Sequence, residues 1–125
     1  MEDKKYLIDS NIIIYHLNGN LVATRFLKEN INESCISRLK FIEVMLFDLK
    51  KREATIVKEL LNRFSIIDTS EQIALQTLKN RKKKKIKKAD NIIAATAQVH
   101  NLILVTLNIA DYKSLPVKLL NPFNS

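Results

Sequence analysis

With one glycine, two prolines, one cysteine and no tryptophan in 125 residues, this sequence is short of the parts several fold classes need. Many-stranded sandwiches and barrels turn repeatedly on Gly and Pro, so that scarcity excludes them and leaves a helical or α/β fold. A lone cysteine, Cys35, cannot close an internal disulfide, and in ESCIS it reads as a small buried thiol without a catalytic role. No apolar run reaches the roughly 18 residues of a membrane span. The N-terminus, MEDKKYLIDSN, has acids where a secretory signal would be basic. These absences imply a cytoplasmic, non-membrane protein. A hydrophobic content of 46% is too high for a disordered chain, and the length suits one domain spanning residues 1–125.

Positive charge is what the chain has in excess, and it is concentrated. The net charge is +8, from 21 Lys plus Arg and 13 Asp plus Glu. The tract KNRKKKKIKK holds eight of those bases: Lys79, Arg81, Lys82, Lys83, Lys84, Lys85, Lys87 and Lys88. Setting them aside leaves 13 bases against the 13 acids, so the tract alone carries the excess. A focused basic patch attracts polyanions by counterion release, which points to nucleic acid. The bland alternative is a solvated linker or helix end. The tract has no interleaved aromatics, which favours contact with a nucleic-acid backbone over base stacking.

Short apolar, β-branched runs at Tyr6 to Ile8, Ser34 to Ile36, Phe64 to Ile67, Leu102 to Val105 and Val117 to Leu120 predict five strands. Between them the spacing predicts helices. One starts at Ser10, and one covers about Leu21 to Glu29 with Val22, Phe26 and Leu27 inward. A long one is capped by Ser37 and runs to about Lys51, with Leu39, Ile42, Leu46 and Leu49 as its inward stripe. Further helices follow over Ala54 to Arg63, from Thr69 or Ser70 with Ile73, Ala74 and Leu78 inward, and from Asp90 into NIIAATAQVH. The alternation implies an α/β fold, a central mainly parallel five-stranded sheet flanked by helices on both faces. Ligands of such sheets bind beyond the carboxyl ends of the strands.

Acids and short polar residues gather at those ends. Asp9 follows the first strand directly. Glu43 is the only charge in FIEVMLF and faces the edge of the core, where a carboxylate must regain its lost hydration from hydrogen bonds or a cation. Asp48 instead has Lys51 and Arg52 at helical spacing. Asp90 follows the basic tract and, taken alone, reads first as a helix N-cap, whose second carboxylate oxygen could still meet a metal ion. In LVTLNIADY, Thr106, Asn108 and Asp111 follow the fourth strand. Carboxylates brought together repel unless protons or divalent cations offset the charge. Oxygen donors suit Mg²⁺ or Mn²⁺, while His16 and His100 lack zinc-ligand spacing and read as surface or packing residues.

The successive stretches LIDSNIIIYHL, ISRLKFIEVM, ADNIIAATAQVHNLILVT and TLNIADYKSL together resemble the motifs of PIN-domain ribonucleases, especially VapC-type toxins of toxin–antitoxin pairs. The resemblance implies a three-layer PIN-like fold and a Mg²⁺- or Mn²⁺-dependent endoribonuclease. It implies Asp9, Glu43 and Asp90 as acidic metal-site residues, with Asn108 or Asp111 in the fourth position and Ser10, Asn11 and Thr106 in support. It further implies a homodimer, a small cognate antitoxin and a structured RNA substrate of the tRNA or ribosomal type. Ser10 stands where the family usually has Thr, and TLN replaces a TRN-type motif, losing a base.

Two other classes compete. A phosphoacceptor receiver-like domain shares the length and β/α order, and Asp68 follows its third strand, but Asp9 lacks the acidic neighbour such a domain would need. A catalytically silent RNA-binding scaffold would use the lysines and not the carboxylates.

Overall fold

The computed structural model describes residues 4–47, 51–83 and 85–124. Five strands form, each where an apolar run was expected: β1 (Tyr6–Ile8), β2 (Ser34–Ser37), β3 (Ser65–Ile67), β4 (Ile103–Val105) and β5 (Leu119–Leu120). They pair in the order β3-β2-β1-β4-β5, and every pairing is parallel. The six α-helices among the described residues are α1 (Ser10–Leu17), α2 (Leu21–Asn30), α3 (Arg38–Leu46), α4 (Lys51–Leu61), α5 (Glu71–Lys83) and α6 (Lys88–His100).

Strand pleating sorts the core into two layers, because successive side chains point to opposite faces. Leu7, Cys35 and Leu104 join Ile73 of α5 and Ile93 of α6 in one cluster. Their chain neighbours Ile8, Ile36 and Val105 join Ile12 and Ile13 of α1, Leu27 of α2, Val44 of α3 and Leu61 of α4 in the other. The result is the three-layer α/β architecture expected from the sequence, and the sheet is wholly parallel. Chain breaks use the residues that allow them: Gly19 between α1 and α2 has φ +86°, and Asn101 ends α6 at φ 54°, a conformation Asn tolerates.

Several helix details differ from the sequence reading. α3 stops at Leu46, because Phe47 has extended ψ (145°), well short of Lys51. Its buried residues are Lys40 and Val44, while Ile42 and Leu46 face out at 45% and 78% exposure. Leu49 and Asp48, with its proposed partners' side chains, lie outside the described residues. On α5, Ile73 is buried but Ala74 and Leu78 are exposed. The inward place is taken by Asn80, whose amide bonds both Gln76 (3.0 Å) and Gln98 of α6 (2.7 Å), so a polar residue fills that seam at no cost in unmet hydrogen bonds. On α2, Ala23 is buried in place of the exposed Val22.

The strand order has a reversal: the chain builds outward from β1 through β2 to β3, then returns to place β4 on β1's other side. Such a switch point opens a crevice at the strands' carboxyl ends. Here those are the ends of β1 and β4, where Asp9 and Thr106 stand.

Candidate functional site

Asp9 is 3% exposed, and its carboxylate is held from four directions. One oxygen, Oδ1, accepts the Ser10 backbone N–H at 2.8 Å and the Ser10 hydroxyl at 3.4 Å, and lies 3.4 Å from Lys40 Nζ. The other, Oδ2, accepts the Thr106 hydroxyl at 2.8 Å. Asp9 is therefore the N-cap of α1 and also a brace across the switch point. Its own backbone N–H donates to Val105 O at 2.9 Å, extending the β1–β4 ladder by one rung.

Thr106 is fully buried, and its hydroxyl uses its whole capacity of one donor and two acceptor sites. It donates to Asp9 and accepts from Asn11 Nδ2 (3.4 Å) and the Asn108 backbone N–H (3.1 Å). Ser10, Asn11 and Thr106 are thus joined to Asp9 directly or through one hydroxyl. Asn11 Oδ1 is buried without a hydrogen-bond partner among the described residues.

Glu43 joins the same cluster from α3. Its Oε2 accepts the Ser10 hydroxyl and Lys40 Nζ, each at 3.0 Å, and its side chain is 37% exposed. Lys40 was not singled out from the sequence. It is buried between Asp9 and Glu43, and the signal that would have found it is its place three residues before an inward acid on a helix capped by Ser37. Burial alone would lower the Lys40 pKa, but Asp9 and Glu43 outweigh it and hold the ammonium above its ordinary value.

Asp90 departs from the N-cap reading. α6 starts at Lys88, so Asp90 lies within its first turn and accepts a hydrogen bond from the Tyr112 hydroxyl at 3.2 Å. Tyr112, also unforeseen, is 1% exposed, and its phenol is pushed well above the usual range by burial first, then by the charges of Asp9, Asp90 and Asp111. One ring thus feels three of the candidate acids. Asp90 and Asp111 line one cleft of about 250 Å³ together with Lys85, Lys87, Ile86 and Ala110. Asn108 is exposed and makes no side-chain cap to the following turn.

Among the described residues, no three Asp, Glu, His or Cys side chains close around one point as ligands of a single ion. Carboxylates repel one another, and between Asp9 and Glu43 the intervening charge is Lys40. The donor types present, carboxylate and amide oxygens, are those a hard divalent ion takes: Asp9 and Glu43 at the switch point, Asp90 and Asp111 in a cleft, and the unpartnered Asn11 oxygen.

The basic tract lines three adjoining hollows. Lys79 and Lys82 line a groove along α5, Arg81 and Lys88 a second hollow that shares Leu78 with it, and Lys85 and Lys87 the cleft beside Asp90 and Asp111, which shares Ile86 with the second. Lys84 and the Lys83 side chain lie outside the described residues. Asp68, the receiver-type candidate, is an exposed partner of Arg38 at 2.9 Å. Cys35 is buried, and burial raises its thiol pKa, in keeping with a packing role. His16 is part-buried, with Nδ1 2.8 Å from the Thr24 hydroxyl.

This is a parallel α/β fold with acids gathered at its switch point, and residues 6–113 match the PIN domain family. The chain belongs to that family. It is similar to a curated protein, Ribonuclease VapC2 of Methanocaldococcus jannaschii, at 28% identity over 90% of each chain. It superposes on a chain of a toxin–antitoxin complex from Klebsiella pneumoniae with TM-score 0.85 and 33% identity, covering 94% of this chain and 98% of that one. A chain of VapBC2 from Rickettsia felis, solved bound to a promoter DNA fragment, superposes with TM-score 0.78 and 26% identity, covering 93% and 97%.

Proposed function

We propose that this chain is a VapC-like endoribonuclease, the toxin of a toxin–antitoxin pair, acting in the cytoplasm as a single nuclease domain. The observation that carries this reading is the pairing of Asp9 with Thr106 at the switch point, beside a cleft that sets Asp90 and Asp111 next to Lys85 and Lys87. The relatives named above support the toxin reading, and their complexes support a small antitoxin as partner.

Asp9, Glu43, Asp90 and Asp111 would hold Mg²⁺ or Mn²⁺, with Asp111 preferred to Asn108 because it shares Asp90's cleft. The chemistry supplied by such an ion, if bound there, would be activation of water and offsetting of charge on a phosphodiester. The chain's own residues do the rest. Thr106 and Ser10 fix the Asp9 carboxylate, Tyr112 fixes Asp90, and Lys40 keeps Glu43 turned toward Asp9. Lys85 and Lys87 attract the phosphate backbone that the acids would otherwise repel. The substrate class is structured RNA of the tRNA or ribosomal type. A homodimer fits the exposed Tyr15, Leu21 and Val22 on α1 and α2. No helix among the described residues is long and apolar enough to cross a membrane.

Sequencing RNA 5′ ends after brief expression of the wild type and of Asp9→Asn tests this reading. New ends confined to the wild type support it and name the substrate. Identical ends in both would refute it.

A further inference from the structure

Lys40 is 5% exposed, a place lysine almost never takes unless paired. The sequence builds this place in steps. The Ser37 hydroxyl accepts the Lys40 backbone N–H at 3.1 Å and fixes the first turn of α3. Glu43, three residues on, then shares Lys40's helix face, and Asp9 arrives from the end of β1. The ammonium lies 3.0 Å from Glu43 Oε2 and 3.4 Å from Asp9 Oδ1.

We propose that Lys40 is a resident cation of the acidic pocket, a positioning residue that holds Asp9 and Glu43 together and lowers their affinity for a divalent ion. The inference rests on the metallonuclease reading above for its ligand. Two opposed consequences follow from one charge. With Lys40 in place, the two carboxylates are already neutralised in part, so the pocket stays assembled without metal. A divalent ion seeking the same oxygens meets a positive charge a few ångströms away, and like charges at that range in a poorly hydrated pocket repel strongly. Without Lys40, two carboxylates would face each other unbalanced, weakening the metal-free fold and increasing its demand for a cation.

The test uses the full chain and Mn²⁺ alone. Lys40→Met has nearly the same length and no charge, and Lys40→Gln is a second uncharged variant should the first fold poorly. Calorimetric titration of metal-stripped protein should show Mn²⁺ binding tighter by about 10-fold or more in the uncharged variants. Their melting temperatures should fall in EDTA and recover with Mn²⁺ by more than the wild type gains. Lys40→Arg should keep the wild-type dissociation constant. A lysine that is merely structural would lower melting equally with and without Mn²⁺ and leave affinity unchanged or weaker. That result overturns the proposal while the metallonuclease reading stands. If neither wild type nor variants take up Mn²⁺, both are overturned.

Discussion

The Thr106 hydroxyl lies 2.8 Å from Asp9 Oδ2, although 97 residues separate the two in the chain. This bond ties the ends of β1 and β4 together at the point where the sheet's strand order reverses. It makes the carboxylate's orientation a property of the whole fold and not of one loop.

Thr106→Val keeps the side chain's shape but leaves a buried Asp9 oxygen, the Asn11 amide and the Asn108 N–H without their partner. The expected cost is about 1–3 kcal/mol of stability. Urea unfolding in EDTA measures it, and an unchanged midpoint would mean that the bond carries no weight. RNA cleavage should fall by roughly 10–100-fold, the usual effect of losing a residue that orients a metal ligand.

Tyr112→Phe separates orientation from stability. The phenol is buried and bonded only to Asp90 among the described residues, so removing its oxygen should change stability by less than about 1 kcal/mol. Cleavage should nevertheless drop, on the order of 10-fold, because Asp90 loses its donor. A variant as active as the wild type would show that Asp90 needs no such brace.

His16 sets an acid limit. Its pKa is lowered from 6.5 by burial, so the folded state prefers the neutral ring. The unfolded chain therefore binds this proton first, and stability that is complete above about pH 6.5 declines as pH falls through the lowered value. Melting temperature between pH 7.5 and 5 should fall more steeply in the wild type than in His16→Gln. Parallel curves would remove His16 from the account.

The five strands were legible because β-branched apolar runs mark strands directly, and their pleat then fixed both core layers. Asp9 and Thr106 were legible because short polar residues directly follow the runs of β1 and β4, while Glu43 stood out as the lone charge in an apolar helical stretch. Helix faces were less so. On α3 the hydrophobic pattern puts Ile42 and Leu46 inward, but the helix is turned so that Lys40 meets two carboxylates, a preference of charge that an apolar stripe does not encode. On α5 the same failure has a different cause, since Asn80 is buried by hydrogen bonds to Gln76 and Gln98. Asp90 resembled a cap because its true partner, Tyr112, lies 22 residues away. The lysine tract spans a helix end and the start of the next, and its described residues line a run of adjoining hollows, the last of which also holds Asp90 and Asp111.

In the proposed reaction, acids brought from separate stretches of chain act together through a divalent ion to cut RNA. The most direct measurement is cleavage of total RNA by purified protein with Mg²⁺ or Mn²⁺, with EDTA, and in Asp9→Asn and Asp90→Asn variants verified as folded by circular dichroism. Metal-dependent cleavage by the wild type, lost in EDTA and in both variants, is the predicted result. Cleavage that persists in EDTA, or in either variant at the wild-type rate, would contradict it.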